Sequence, residues 1–373
     1  MNLKNKNLAL FLTDGMSLHK WHEIGMLERE IAPYNYLADF FDHIYIFSYG
    51  GSEDLQYNNQ LKNNVSVVIK KSTVSNSLYQ LTLPFLYRKL LSKCQFYKTN
   101  QIYGSIPAII SKILFRKNIL VIRSGYIATL NAKLYKKTFY KRAMINMIEW
   151  LAYNLCNISF IPTKENADYL INRYGFLKKK LFTLNNSINI EIFKPINCEK
   201  KYDIGYVGRL NADKNLLNLL EAIKDSGYKV CFIGRGEEKD SLEKYAQENS
   251  IDLEFIDKVN NYDLPKYYSA FKIYAFPSLH EGNPKTLLEA MACGLPIVGC
   301  DVIGVNNIIK DGKNGLLSRP DASNLKEKIV HLMSNQSLMN DLGQQARQFI
   351  KQNYDFSIII NKELDIYNKA LTR

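Results

Sequence analysis

The chain has 373 residues, 46% of them hydrophobic and 23% charged, with a net charge of +13. That length holds two ordinary domains with separate cores, and the composition excludes a disordered or collagenous chain. No run approaches the about 18 consecutive apolar residues of a membrane span, so no helix is expected to cross a bilayer.

Charge is unevenly spread. Residues 1–195 hold 26 Lys/Arg against 12 Asp/Glu, whereas 196–373 hold 23 against 24, so the two halves meet different partners. Between Asp54 and Glu149 there are 16 basic residues and no acidic one. Cys94, Cys156, Cys198, Cys231, Cys293 and Cys300 form no C-x-x-C pair and sit in apolar surroundings, which predicts reduced core thiols of a cytosolic protein.

The first half alternates strand and helix, the pattern of a parallel sheet covered on both faces. The start is basic, but the apolar run Leu8 to Leu12 suits a buried first strand, to Thr13, better than a signal peptide. Gly15 lies in the following loop, at the carboxyl end of a strand, where doubly wound sheets bind ligands. Ser17 predicts the cap of a helix running through Glu30. His19 and His22 flank Trp21 at helical spacing; without a third ligand they read as surface and packing residues rather than a metal pair. Further strands are expected at 43–48, 65–69, 95–97, 119–123 and 159–161. Arg123 and Tyr126 follow one of these, again at a carboxyl end, as candidates for contact with an acceptor or a phosphate. A solvated loop arginine is the alternative. A helix over Lys164–Tyr174 and a strand from Leu181 lead to a linker over Asn189–Lys200.

The second half restarts with a strand from Tyr202 that runs into Gly208, Arg209 and Leu210. Lys214 stands at the approach to a helix over Asn215–Lys224. Glycine lets a backbone come close to a diphosphate, and Arg209 with Lys214 can neutralise its charge. Strands at 229–233 and 253–256 follow, the latter leading into Asp257, Lys258 and Val259. A short helix over Tyr262–Ala270 precedes the strand Ile273–Phe276, which Pro277 ends. Pro284 suits a first helical position, and Gly294-Leu295-Pro296 stops the helix over Thr286–Cys293. Free amides at Gly282, Asn283 and the helix start form an anion site. Glu281 in the loop and Glu289 in the helix can accept hydrogen bonds from sugar hydroxyls. Asp311–Gly315 reads as a turn, and a last helix runs from about Phe356 to Ala370.

The string EGNPKTLLEAMACGLPIVG, with Glu281 and Glu289 in an E-x7-E spacing, resembles the signature of glycosyltransferase family 4. The Gly208-Arg209-Leu210 segment with Lys214 matches the same family. The resemblance covers nearly all of the second half by motif and the first half by pattern. It implies a GT-B fold: two Rossmann-like domains facing across a cleft, with the C-terminal helix crossing back. The domains would be 1–190, plus 356–373, for the acceptor and 200–350 for the donor. It further implies a metal-independent, hexosyl-type transferase that moves a sugar from a UDP- or GDP-linked donor to an acceptor hydroxyl with retention and no cofactor. Glu281 would orient the donor sugar, with Arg209 and Lys214 beside it as catalytic groups, and Glu289 would hold the ribose. The nucleobase would lie at Val259. Gly15, Gly208, Gly282, Asn283, Pro284, Lys285, Thr286 and Leu287 would complete the donor site. The family often has a histidine near Arg123 and a glycine where Asp257 stands, so the acceptor site and the base remain open. A nucleotide-sugar epimerase of the same fold is one alternative. A basic nucleic-acid-binding protein is another, and it leaves the donor motifs unexplained.

Residues 55–148 also suggest an anionic membrane surface as a partner, on the cytoplasmic side, with a lipid-linked or anionic glycan acceptor. Two stretches mix cations with aromatic and aliphatic residues. One is Leu78–Lys93, including Tyr79; in the other, Lys133, Lys137 and Lys141 are expected on one helical face.

Overall fold

In the computed structural model, which describes residues 3–134 and 136–372, the chain divides into two units. One comprises residues 1–185 and 360–373, the other 186–359.

The first unit is built on seven parallel strands: β1 (Asn7–Phe11), β2 (His43–Phe47), β3 (Val65–Val68), β4 (Cys94–Thr99), β5 (Ile119–Arg123), β6 (Ile158–Ile161) and β7 (Leu181–Thr183). Their order is β3-β2-β1-β4-β5-β6-β7, and β1 pairs with both β2 and β4. Helices on both faces leave the central strands little wet surface, which is why Asn7–Phe11 and Ile119–Arg123 read as near-continuous apolar runs. The helices Asn76–Leu86, Ser105–Leu114 and Phe139–Leu155 follow one another side by side over one face. Tyr79, Tyr97 and Tyr153 are buried beneath them. On the opposite face Tyr367, from the last helix Phe356–Leu371, packs against Phe41, Phe96 and Phe160 with ring centroids 5.0–6.0 Å apart. Beside it Lys98 of β4, fully buried, donates to Glu363 of the same helix, and Tyr367 donates to that carboxylate as well.

The second unit repeats the plan with six parallel strands: β8 (Tyr202–Val207), β9 (Val230–Ile233), β10 (Leu253–Ile256), β11 (Phe271–Phe276), β12 (Ile297–Cys300) and β13 (Leu316–Ser318). They run in the order β10-β9-β8-β11-β12-β13. Gly205 lies directly under Phe271; a Cβ there would sit 2.0 Å from the ring, so glycine permits the β8–β11 pairing.

Several sequence expectations are corrected. The helix from Ser17 is two helices, Leu18–Glu23 and Leu27–Leu37, because Gly25 adopts a left-handed φ of 71° and its N–H turns back to His22. Ser17 does cap the first, accepting from the Lys20 amide at 3.0 Å. Pro284 is the residue before the helix Lys285–Ala292 rather than its first, with an extended ψ of 113°. Cys198 is exposed, lying among charged residues in an irregular segment outside any strand; the other five cysteines are buried. Lys133, Lys137 and Lys141 share no helical face, since Lys133 belongs to the helix Ala128–Leu134 and Lys141 to Phe139–Leu155, with Lys137 between them. Tyr79 points into the core rather than outward. No described helix is long and apolar enough to cross a membrane.

Candidate active site

In both sheets the strand order reverses between the first strand and the fourth, and a parallel sheet opens a crevice at that point, beyond the carboxyl ends. In the second unit these strands are β8 and β11. The loop leaving β8 carries Gly208, Arg209 and Lys214; the loop leaving β11 carries Glu281 to Pro284. Topology alone therefore brings together residues about seventy positions apart.

Two bonds join the loops. The Leu279 amide donates to the Asp213 carbonyl at 2.9 Å. The Lys214 ammonium, its side chain 9% exposed, donates to Glu281 Oε1 and lies against Asp213 Oδ2, both at 2.8 Å. Burial by itself would lower the Lys214 pKa, but the carboxylates of Glu281 and Asp213 outweigh it and the pKa is raised. A buried lysine held charged in this way can meet an anion.

The backbone around the pair is tightly constrained. Asn215 takes a left-handed φ of 57° to begin the helix Leu216–Ile223. Gly304, at φ 88°, lies so close that a Cβ would stand 2.2 Å from the Glu281 carbonyl oxygen. Gly234 approaches the Gly208 carbonyl even more closely, at 1.9 Å for such a Cβ. Arg209 is exposed, and its carbonyl accepts from the buried Tyr206 hydroxyl at 3.0 Å.

The helix Lys285–Ala292 has no side-chain cap at Pro284, so the first-turn amides of Thr286 and Leu287 can turn to an anion. Asn283 is held by Asn186, whose amide donates to Asn283 Oδ1 at 2.9 Å and whose side chain donates to the Asn283 carbonyl at 2.6 Å. Glu289 is buried, and the Tyr268 hydroxyl donates to its Oε2 at 3.0 Å. Val259 lines a surface depression with Lys258, Asn260 and Tyr267. Asp257 is paired with Lys239 at 2.6 Å.

In the first unit, Gly15 turns the loop after β1 with φ 71°. The loop at Arg123 and Tyr126 is pinned to the end of β4: the Arg123 amide donates to Thr99 Oγ1 at 3.0 Å and the Gly125 amide to Gln101 Oε1 at 2.7 Å. Arg123 also acts inward. Burial raises the pKa of Glu363, yet Lys98 first and Arg123 second hold it below the usual carboxylate range. His19 donates or accepts at Tyr57 at 2.9 Å, and among the described residues no group of three metal-ligating types gathers.

Sequence reasoning passed over Asp213, Tyr268, Asn186 and Gly304. Only Asp213, next to Lys214, carried a local signal; the others reach the site through the sheet.

Residues 188–349 match the family model described as "Glycosyl transferases group 1". The capsular polysaccharide biosynthesis glycosyltransferase CapM of Staphylococcus aureus is 25% identical over 88% of this chain and 90% of its own. A Campylobacter jejuni enzyme named N,N'-diacetylbacillosaminyl-diphospho-undecaprenol alpha-1,3-N-acetylgalactosaminyltransferase is 26% identical over 62% of this chain and 65% of its own. Among solved structures, Anabaena HepE in complex with UDP superposes with a TM-score of 0.77, covering 98% of this chain and 100% of HepE at 16% identity.

Proposed function

As the chain is a glycosyltransferase of GT-B fold, we propose that it moves a sugar, with retention, from a nucleotide-diphosphate donor to an acceptor hydroxyl in cell-surface polysaccharide or glycolipid assembly. The observation that carries this reading is the Lys214–Glu281 pair, set at the switch point of the second sheet beside an uncapped helix. A diphosphate at that helix start meets fixed amides and two cations, Lys214 and Arg209, which stabilise the charge that grows as it departs. These groups do the work a metal does in other transferases.

Glu281, aimed by Lys214, accepts from a hydroxyl of the donor sugar and sets the anomeric carbon toward the acceptor. Glu289, oriented by Tyr268, is assigned to the ribose. In the step itself the bond from the anomeric carbon to the diphosphate oxygen breaks, and a bond to the acceptor oxygen forms on the same face. The acceptor proton passes to the departing phosphate oxygen, so no separate base is required. UDP in HepE and the diphospho-undecaprenol acceptor in the name of the Campylobacter relative support a UDP-linked donor and a lipid-linked acceptor.

A thermal-shift panel of UDP, GDP, ADP and their common sugars tests the donor class, because a ligand that binds only the folded state raises its apparent stability. One nucleotide diphosphate should raise the Tm well above its nucleoside. Incubation of the matching sugar donor with a polyprenyl-diphosphate-linked saccharide should then give an extended product. No shift with any nucleotide diphosphate overturns the donor site, and an isomerised donor sugar with no extended product overturns transfer.

A further inference from the structure

Three helices cover one face of the first unit's sheet, and each leaves large apolar side chains exposed. Their inner sides supply the core, through residues such as Leu83, Ala108 and Tyr153. Their outer sides should be polar on a water-facing surface. Instead, Asn76–Leu86 exposes Leu81 and Phe85 one turn apart, and Ser105–Leu114 exposes Ile113. Phe139–Leu155 exposes Tyr140, Met144 and Met147 as a single stripe, with Tyr140 84% exposed. Because the first helix packs on the second and the second on the third, these side chains belong to one face. Single exposed apolar residues are ordinary; an apolar face spread over three neighbouring helices marks an interaction surface.

Cations surround it. Arg88 and Lys89 follow the first helix, Arg116 and Lys117 the second, and Lys137, Lys141 and Arg142 stand at the start of the third, all exposed. The one acidic residue of the third helix, Glu149, is buried and bonded by Thr129 and Tyr174, so its charge does not reach this surface.

We propose that this face docks on an anionic lipid bilayer, with Leu81, Phe85, Ile113, Tyr140, Met144 and Met147 entering the headgroup–acyl boundary and the cations at the level of the lipid phosphates. Charge complementarity selects the occupant. An anionic nucleic acid has no use for protruding leucine and methionine tips, whereas an anionic bilayer takes both features at once. The docking surface is separate from the chemistry of the second unit. It would bring the first unit to a membrane whether or not the acceptor is lipid-linked.

Flotation with vesicles of phosphatidylglycerol and phosphatidylcholine, against phosphatidylcholine alone, tests it on the full chain. Binding should require the anionic lipid and weaken as salt rises. Replacing Lys137, Lys141 and Arg142 together with Glu should weaken partitioning by about a hundredfold or more, at about fivefold per cation near the surface. Changing Tyr140, Met144 and Met147 together to Ser should also abolish flotation at moderate salt, with the melting temperature and nucleotide-diphosphate binding unchanged. Three results overturn the proposal: no flotation at low salt, equal binding to neutral vesicles, or wild-type flotation by both triple variants. A wild-type dimer in light scattering that the Ser variant dissociates, without vesicle binding, would assign the face to a second copy of the chain instead.

Discussion

Replacing Lys214 with alanine removes one cation from between two carboxylates. Lys214 lies 2.8 Å from both Glu281 and Asp213, and the side chains of Lys214 and Glu281 are 9% and 14% exposed, so water screens the pair poorly. A diphosphate bound at the start of the helix Lys285–Ala292 would lose a charge-assisted hydrogen bond, worth about 1.5–3 kcal/mol. That is roughly a 10- to 150-fold rise in Kd. Titration calorimetry with UDP and with uridine separates this from general damage, because uridine carries no phosphate and should bind nearly as before. The same lysine aims Glu281, so turnover should fall further than donor affinity. A double-mutant cycle with Glu281→Gln should show a coupling of about 0.5–3 kcal/mol in kcat/KM. Equal weakening of UDP and uridine would refute the phosphate assignment, and additive effects in the cycle would refute the idea that lysine and glutamate act as one unit.

Glu281→Gln should lower kcat more than nucleotide affinity, while Glu289→Ala should lower nucleotide affinity; identical kinetic profiles would undo that division of roles. Activity should survive EDTA, and activity lost to EDTA and restored by Mn²⁺ would show that Arg209 and Lys214 do not suffice. Gly304→Ala forces a Cβ at positive φ toward the Glu281 carbonyl, at a cost of about 1–3 kcal/mol of local strain; turnover should drop sharply, and unaltered kinetics would mean the Glu281 loop tolerates displacement. Glu363→Gln leaves Lys98 buried without its counter-charge and should destabilise the fold by about 3–5 kcal/mol at neutral pH in urea unfolding. Glu363 has a lowered folded pKa, so its contribution is present above the unfolded value and fades as pH falls through the folded one. Wild-type stability should therefore drop toward that of the variant below about pH 4.3, and parallel pH profiles would refute the assignment.

Strands were the most legible elements, because a strand buried on both faces writes itself as a short apolar run between turn residues. Ile119–Arg123, buried over its first four residues, falls where the sequence places it. Helix continuity was harder to read. Gly25 interrupts an otherwise helical pattern, and a lone glycine also occurs inside helices, so the break after Glu23 had no decisive sign. The separation of Lys133 from Lys141 is similar: Lys136 adopts a φ of 47°, and nothing in its residue type demands it. The two loops of the candidate site stand out in the sequence because both carry glycine and charge at strand ends. Their clasp, with Asp213 as second carboxylate and Asn186 gripping Asn283, depends on β8 lying beside β11, which local pattern does not encode. The pairing of Lys98 with Glu363 is less legible still, since the partners stand 265 positions apart.

That last pair bears on the order in which the protein is made. A ribosome delivers β4, with Lys98 in it, long before Glu363. The whole of the second unit is synthesised in between. Until the final helix emerges, the nascent first sheet holds a lysine destined for burial with no carboxylate to meet it, and the ring of Phe41, Phe96 and Phe160 lacks Tyr367 at its centre. Domains usually mature in the order they leave the ribosome. Here the unit that begins first gains its last helix only after the second has been made, which leaves a largely aromatic sheet face with one lysine uncovered while about 265 residues are translated.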